Sequence, residues 1–230
     1  MQLEQLHRFL QSLEPAAQLV EPRVLRRVIR LDRRLPAFRL TIPHELGYTI
    51  DRDRLLAFAD PSELAIRPAN DLPRRVILLP QPDEFELIDD ANWAALTDRY
   101  RRLLFHECVH LELESHLRGG AFPDGWARAR REKIGAVEFA EIRDVLLKED
   151  LLISPADDAE TYVEFAAVAL ELRCLAPQDL PSFFPSIRDW QNIEQILAQD
   201  LDLPRLFERF GGSGDDPEAA LHAPAGPTCS

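Results

Sequence analysis

A long helical segment with two histidines one turn apart is the feature that most constrains the fold of this chain. Residues 106–110 read His-Glu-Cys-Val-His, and residues four apart on an α-helix lie on the same face. Asp89-Asp90 offers an N-cap for this helix and Gly119-Gly120 offers a stop. Between them, apolar residues recur at helical spacing at Trp93, Leu96, Leu103, Val109, Leu113 and Leu117. His106 and His110 fall on this apolar stripe, which predicts that both imidazoles face the protein interior.

Two imidazoles at this spacing suit a metal ion. They can bind one Zn²⁺, and Glu107 directly after the first histidine can reach a metal-bound water. Zinc lowers the pKa of such a water toward 7, and a carboxylate takes its proton as the water attacks a polarised carbonyl. The competing interpretation is a buried helix with two hydrogen-bonded core histidines. The position of Glu107 favours the metal.

On these residues the chain resembles the zincin metallopeptidases. The resemblance covers mainly the helix around residues 94–117. It implies that His106 and His110 bind zinc, that Glu107 is the general base, and that the substrate is a peptide or protein. In that group a strand upstream of the motif helix often pairs with an extended peptide. The clearest strand pattern before the helix is 75–79, Arg-Val-Ile-Leu-Leu.

A catalytic zinc site needs a third protein ligand beside its open position. His116 lies six residues after His110, which is the metzincin spacing, but Leu113 stands where metzincins have a helix-breaking glycine. In a straight helix His116 would lie further along the axis and be turned away from His110. We therefore expect a glutamate from a later helix, the gluzincin arrangement.

The predicted third ligand is Glu138 or Glu141. Both fall within the apolar stripe of the helical segment 132–152, and a buried carboxylate is costly unless it is paired or bound to a metal. A buried ion pair is the alternative explanation for these two residues.

A second helical segment, 157–175, carries Glu160, Glu164 and Glu171 on one face. A solvated face is the simpler interpretation. Glu160 or Glu164 is the alternative source of the third ligand. A carboxylate that does not bind the metal can still fix the tautomer of a ligating histidine.

Length and charge bound the remaining possibilities. The 230 residues suit one domain over 1–210, followed by a flexible tail over 211–230 that is rich in Gly, Pro, Ala and Asp. The net charge of −13 argues against nucleic acid or an anionic membrane as the main partner. No apolar run reaches the length of a membrane span and no secretory signal is recognisable, so we expect a cytoplasmic protein. Three cysteines are too few for a disulfide framework.

The predicted fold is α-rich α+β, with a small mixed or antiparallel sheet in the first half and a helical second half that carries the site. Strand signals precede the motif at 38–51, 55–58 and 75–79. The leading function is zinc-dependent hydrolysis of peptide bonds, with Tyr162, Arg143 or His116 as the second stabiliser of the oxyanion. Two other classes remain open: a non-catalytic zinc- or peptide-binding regulatory module on a zincin-like fold, and a metal-free interaction protein with ion-paired carboxylates.

Overall fold

A small sheet in the first half of the chain is followed by helices. The structure is a computed structural model that describes residues 2–35, 46–64, 71–87, 93–152 and 156–211. In chain order its elements are α1 (Gln2–Leu13), β1 (Ala17–Val20), α2 (Pro22–Asp32), β2 (Tyr48–Asp51), α3 (Arg52–Phe58), β3 (Arg75–Pro80), α4 (Trp93–Arg118), α5 (Trp126–Ile134), α6 (Ala136–Lys148), α7 (Asp158–Leu175), α8 (Leu180–Phe183), α9 (Trp190–Leu197) and α10 (Leu203–Phe210). Short 3-10 turns cover Pro61–Glu63 and Glu84–Leu87. The predicted mostly helical α+β class is confirmed.

The sheet has the order β1-β3-β2, so β3 is the central strand. β1 runs parallel to β3, and β2 runs antiparallel to it, with Thr49 opposite Ile77. Side chains alternate between the two faces of β3 because the period of a strand is two. Ile77 and Leu79 join the large core of α1, α4 and α7, whereas Val76 and Leu78 join a smaller core under α2 and α3. The sheet therefore carries helices on both faces.

Helices α4 and α7 pack against each other and form the frame of the larger core. Eleven of the eighteen residues of α7 are buried, from Thr161 to Leu172. A helix that is apolar almost all round belongs in a core rather than at a surface. None of the described helices combines the length and the apolar character that a membrane crossing requires.

Several predicted boundaries can be compared with the structure. Helix α4 ends at Arg118, directly before Gly119-Gly120 as predicted, while the predicted N-cap at Asp89-Asp90 lies outside the described residues. The strand expected at 55–58 was wrong, because these residues belong to α3 and bury only Leu55. The single helix expected over 132–152 is divided at Gly135, whose φ of 112° strongly favours glycine. Residues 38–45 of the strand signal at 38–51, and 212–230 of the predicted tail, lie outside the described residues.

Candidate metal centre

The motif residues lie near the middle of α4, well away from both of its ends. His106 and Glu107 are buried and His110 is half-buried. The Nε2 atoms of the two histidines lie 3.1 Å apart. Both rings therefore present a nitrogen to the same point, as the four-residue spacing predicts.

Glu164 of α7 completes a group of three ligand atoms. Its Oε1 lies 3.2 Å from His106 Nε2, and its Oε2 lies 3.2 Å from His110 Nε2. Ligand atoms of the three residues all fall within 4.8 Å of one another. No other group of three such residues with this geometry occurs in the described part of the chain.

The spacing of these atoms fits a tetrahedral metal ion. Zinc–nitrogen bonds of roughly 2.0–2.1 Å place two tetrahedral ligand atoms about 3.3 Å apart. The two Nε2 atoms are 3.1 Å apart, and each lies 3.2 Å from a different oxygen of Glu164. Oε1 of Glu164 is buried and has no hydrogen bond of acceptable geometry among the described residues, even though His106 is close. A buried acceptor without a hydrogen bond is costly, and a cation at this point would satisfy it.

Glu171, also on α7, orients His106 from the opposite side of the ring. Its Oε2 lies 3.2 Å from His106 Nδ1, and its Oε1 accepts a hydrogen bond of 3.0 Å from Arg102 Nε. Glu171 pairs with Arg102, and an ionised carboxylate only accepts hydrogen bonds. Nδ1 of His106 therefore donates to Glu171, and the ring proton that a metal would displace is the one on Nε2.

The pKa values of these groups reflect their close packing. Burial by itself lowers the pKa of His106, but Glu164 and Glu171 raise it well above 6.5. Burial alone would raise the pKa of Glu164, yet the two histidines hold it well below its usual range. Glu164 is thus an anion, the form that binds a metal.

Glu107 points toward β2 rather than toward α7. Its Oε2 accepts a hydrogen bond of 3.0 Å from the Thr49 hydroxyl. Burial raises the pKa of Glu107 above its ordinary value, while His110, His106 and Thr49 oppose that effect. A raised carboxyl pKa suits a group that must take up a proton and release it again.

The structure does not bring the predicted third ligands, Glu138 and Glu141, to the histidine pair. The buried residues of α6 are Phe139, Ile142 and Leu146, which turns Glu141 to the surface and leaves Glu138 half-buried. The Glu138 carboxylate lies beside Gly135 at the start of α6 instead. The prediction of Glu138 or Glu141 was wrong because the buried face of α6 is narrower than the apolar pattern of the sequence.

The alternative ligand Glu160 and the three candidate oxyanion stabilisers have partners away from the histidine pair. Glu160 pairs with Arg33, and Arg143 pairs with Asp158. Tyr162 donates to the Asp200 carboxylate, and His116 Nδ1 lies 3.1 Å from the Asp200 carbonyl oxygen. The three expected oxyanion stabilisers therefore have partners elsewhere and do not line the cleft over the site.

That cleft has a volume of about 360 Å³ and opens onto His106, His110, Glu164 and Glu107. Its walls come from α2, β2, α4 and α7, and include Arg33, Tyr48, Thr49, Leu117, Arg118 and Val163. Among the described residues, β2 is an outer strand of the sheet. The strand predicted at 75–79 is β3, which is paired on both sides and therefore offers no free edge to a substrate.

Thr49, Gly47 and Arg102 were not predicted from the sequence to belong to the site. Arg102 pairs with Glu171, which contacts His106. Gly47 and Thr49 are two apart beside a strand, which places them on one face, but nothing in the sequence says which helix covers that face.

Comparisons with protein-family models, curated proteins and solved structures find no match to this chain. Its function must be inferred from the geometry of the site.

Proposed function

We propose that this protein is a zinc-dependent peptidase whose metal is held by His106, His110 and Glu164. The observation that carries the proposal is the convergence of these three ligand atoms beside a buried glutamate at the base of a cleft. Two imidazoles and one carboxylate form a donor set that zinc favours, with a fourth position left for water or substrate.

The residues of the chain have separate tasks in this proposal. A bound zinc ion would polarise the substrate carbonyl and acidify a water molecule. Glu107 accepts the proton of that water and passes it to the leaving amine. Glu164 supplies the negative charge of the ligand set, and Glu171 holds His106 in the metal-binding tautomer.

A peptide is the substrate class that the cleft fits best. β2 pairs with β3 on one side only among the described residues, and Tyr48 and Thr49 of β2 line the cleft. The outer edge of such a strand can add an extended peptide through backbone hydrogen bonds. In this proposal, a peptide added to β2 would lie beside Glu107, which contacts Thr49.

Metal analysis with two variants tests the proposal. We expect about one zinc per chain in the purified protein, loss of that zinc in His110→Ala, and full zinc content in Glu107→Gln. With quenched fluorescent casein and a mixed peptide library as probes, wild-type protein should cleave and Glu107→Gln should be at least about 100-fold slower.

The outcomes separate the alternatives. Zinc without cleavage by wild-type protein would reject the peptidase and leave a zinc-binding regulatory module. Normal zinc content in His110→Ala would reject the metal site itself, and the cluster would then be a network of buried ion pairs.

A further inference from the structure

The general base of the proposed reaction is held by a residue from the sheet. Thr49 and Glu107 are 58 positions apart, and both are buried. The Thr49 hydroxyl donates to Oε2 of Glu107 at 3.0 Å. A hydrogen bond to an ionised carboxylate is stronger than one between neutral groups.

The position of Thr49 is fixed by its strand. It lies opposite Ile77 in the ladder between β2 and β3, and its branched β-carbon restricts rotation about χ1. Glutamate is long and flexible, and ordering such a side chain costs conformational entropy. A donor held by the sheet therefore determines which of the accessible orientations Glu107 adopts.

Gly47 leaves the space that the Glu107 side chain occupies. A Cβ added at Gly47 would lie 2.8 Å from Cδ of Glu107 and closer still to Cγ. Real side chains do not approach this closely, so residue 47 has to be glycine if Glu107 is to keep its place. Gly47 and Thr49 share one face because they are two apart along an extended chain.

We propose that Thr49 is a positioning residue, whose hydroxyl holds the Glu107 carboxylate in the orientation that accepts a proton from water. The hydrogen bond occupies Oε2, which leaves Oε1 for the water. This inference rests on the proposed peptidase function, because it assigns Thr49 a role in that reaction. It also predicts an effect on ligand binding that does not need turnover.

The test compares Thr49→Val, which keeps the shape and removes the donor, with Thr49→Ser, which keeps the donor. Thr97→Val is the matched control, because among the described residues the Thr97 hydroxyl donates to backbone carbonyl oxygens in the first turn of α4. With casein as substrate, Thr49→Val should lower kcat by about 10- to 100-fold with KM and zinc content unchanged. The kcat of Thr49→Ser should stay within about threefold of the wild-type value. The kcat of Thr97→Val should equal the wild-type value.

A second measurement uses acetohydroxamate, a bidentate metal chelator whose acidic proton Glu107 would accept. Its Kd for the zinc-loaded protein should rise about tenfold in Thr49→Val, the lower end of the usual effect of a residue that supports a metal site. Thr49→Ser should restore the wild-type Kd. Thr49→Ala, which also lacks the donor, replaces Thr49→Val if that variant does not fold.

The two measurements keep the two proposals apart. If wild-type protein binds zinc and does not cleave, the peptidase proposal fails, and the acetohydroxamate series alone decides the role of Thr49. Equal Kd values in wild type, Thr49→Val and Thr49→Ser would overturn that role. A kcat that falls equally in Thr49→Val and Thr49→Ser would also overturn it, since a purely steric role has that signature. Absence of zinc from wild-type protein would overturn both proposals.

Discussion

At the scale of single residues, the histidine pair and Glu107 could be predicted because their relationship is local. The two histidines are four positions apart on one helix, and helix geometry alone brings their imidazoles together. The proposed third ligand could not be predicted in this way. Glu164 is 54 residues beyond His110 in the sequence, and its place depends on how α7 packs against α4. Both candidate segments carried glutamates among apolar residues, and only their packing distinguishes them.

Variants of these glutamates test the assignment directly. Glu164→Gln should weaken zinc binding at least about 100-fold, because it removes the charge and one strong ligand from the set. Glu138→Gln and Glu141→Gln are the controls and should bind zinc as wild type does. Zinc affinity is measured by competition with a chromophoric chelator. Wild-type affinity in Glu164→Gln, or a loss in Glu141→Gln, would contradict the assignment.

At the scale of elements, the start of α7 sets the position of Glu164. Asp157 caps this helix by accepting a hydrogen bond from the Glu160 backbone N–H. The next residue, Asp158, accepts hydrogen bonds from Arg131 of α5 and Arg143 of α6. The helical segment at 157–175 was predicted from the sequence, whereas the two arginine contacts depend on the break at Gly135 that separates α5 from α6.

The contacts of Asp158 predict a dependence of stability on pH. Burial alone would raise its pKa, but the hydrogen bonds from Arg143 and Arg131 lower it below 3.8. A lowered folded-state pKa stabilises the fold above the unfolded pKa of about 3.9, and that stabilisation is lost as the pH falls through the lower folded value. At pH 7, Asp158→Asn should therefore reduce the free energy of unfolding by about 1 kcal/mol.

Urea unfolding at several pH values measures the difference in free energy of unfolding between wild type and Asp158→Asn. This difference should shrink as the pH falls below about 4. Asp144→Asn, which changes an exposed carboxylate on α6, should match wild type throughout. A difference between Asp158→Asn and wild type that grew toward acid would be inconsistent with the lowered pKa.

At the scale of the whole molecule, the buried Asp200 ties the helical half together. Its carboxylate accepts two hydrogen bonds from Arg130, one from Tyr162 and one from Trp126. These partners lie on α5 and α7, while Asp200 itself follows α9. The predicted fold class follows from the helical periodicity and the few strand signals, but this junction does not, because its four members are scattered along the chain.

Removing this carboxylate should destabilise the protein strongly. Asp200→Ala leaves a largely buried guanidinium without its partner, and breaking such a pair costs about 3–5 kcal/mol. Asp189→Ala removes only the N-cap of α9 and should cost about 1 kcal/mol. Urea unfolding measures both losses, as the shift of the midpoint multiplied by the m-value. Equal losses in the two variants would show that Asp200 is no more than a local cap.

The most direct test of the proposed metal centre is a crystal structure of zinc-loaded protein with anomalous diffraction at the zinc edge. We predict one strong anomalous peak, within about 2.0–2.2 Å of Nε2 of His106, Nε2 of His110 and a carboxylate oxygen of Glu164. A peak at Glu138 or Glu141, or no peak between the two imidazoles, would contradict the account.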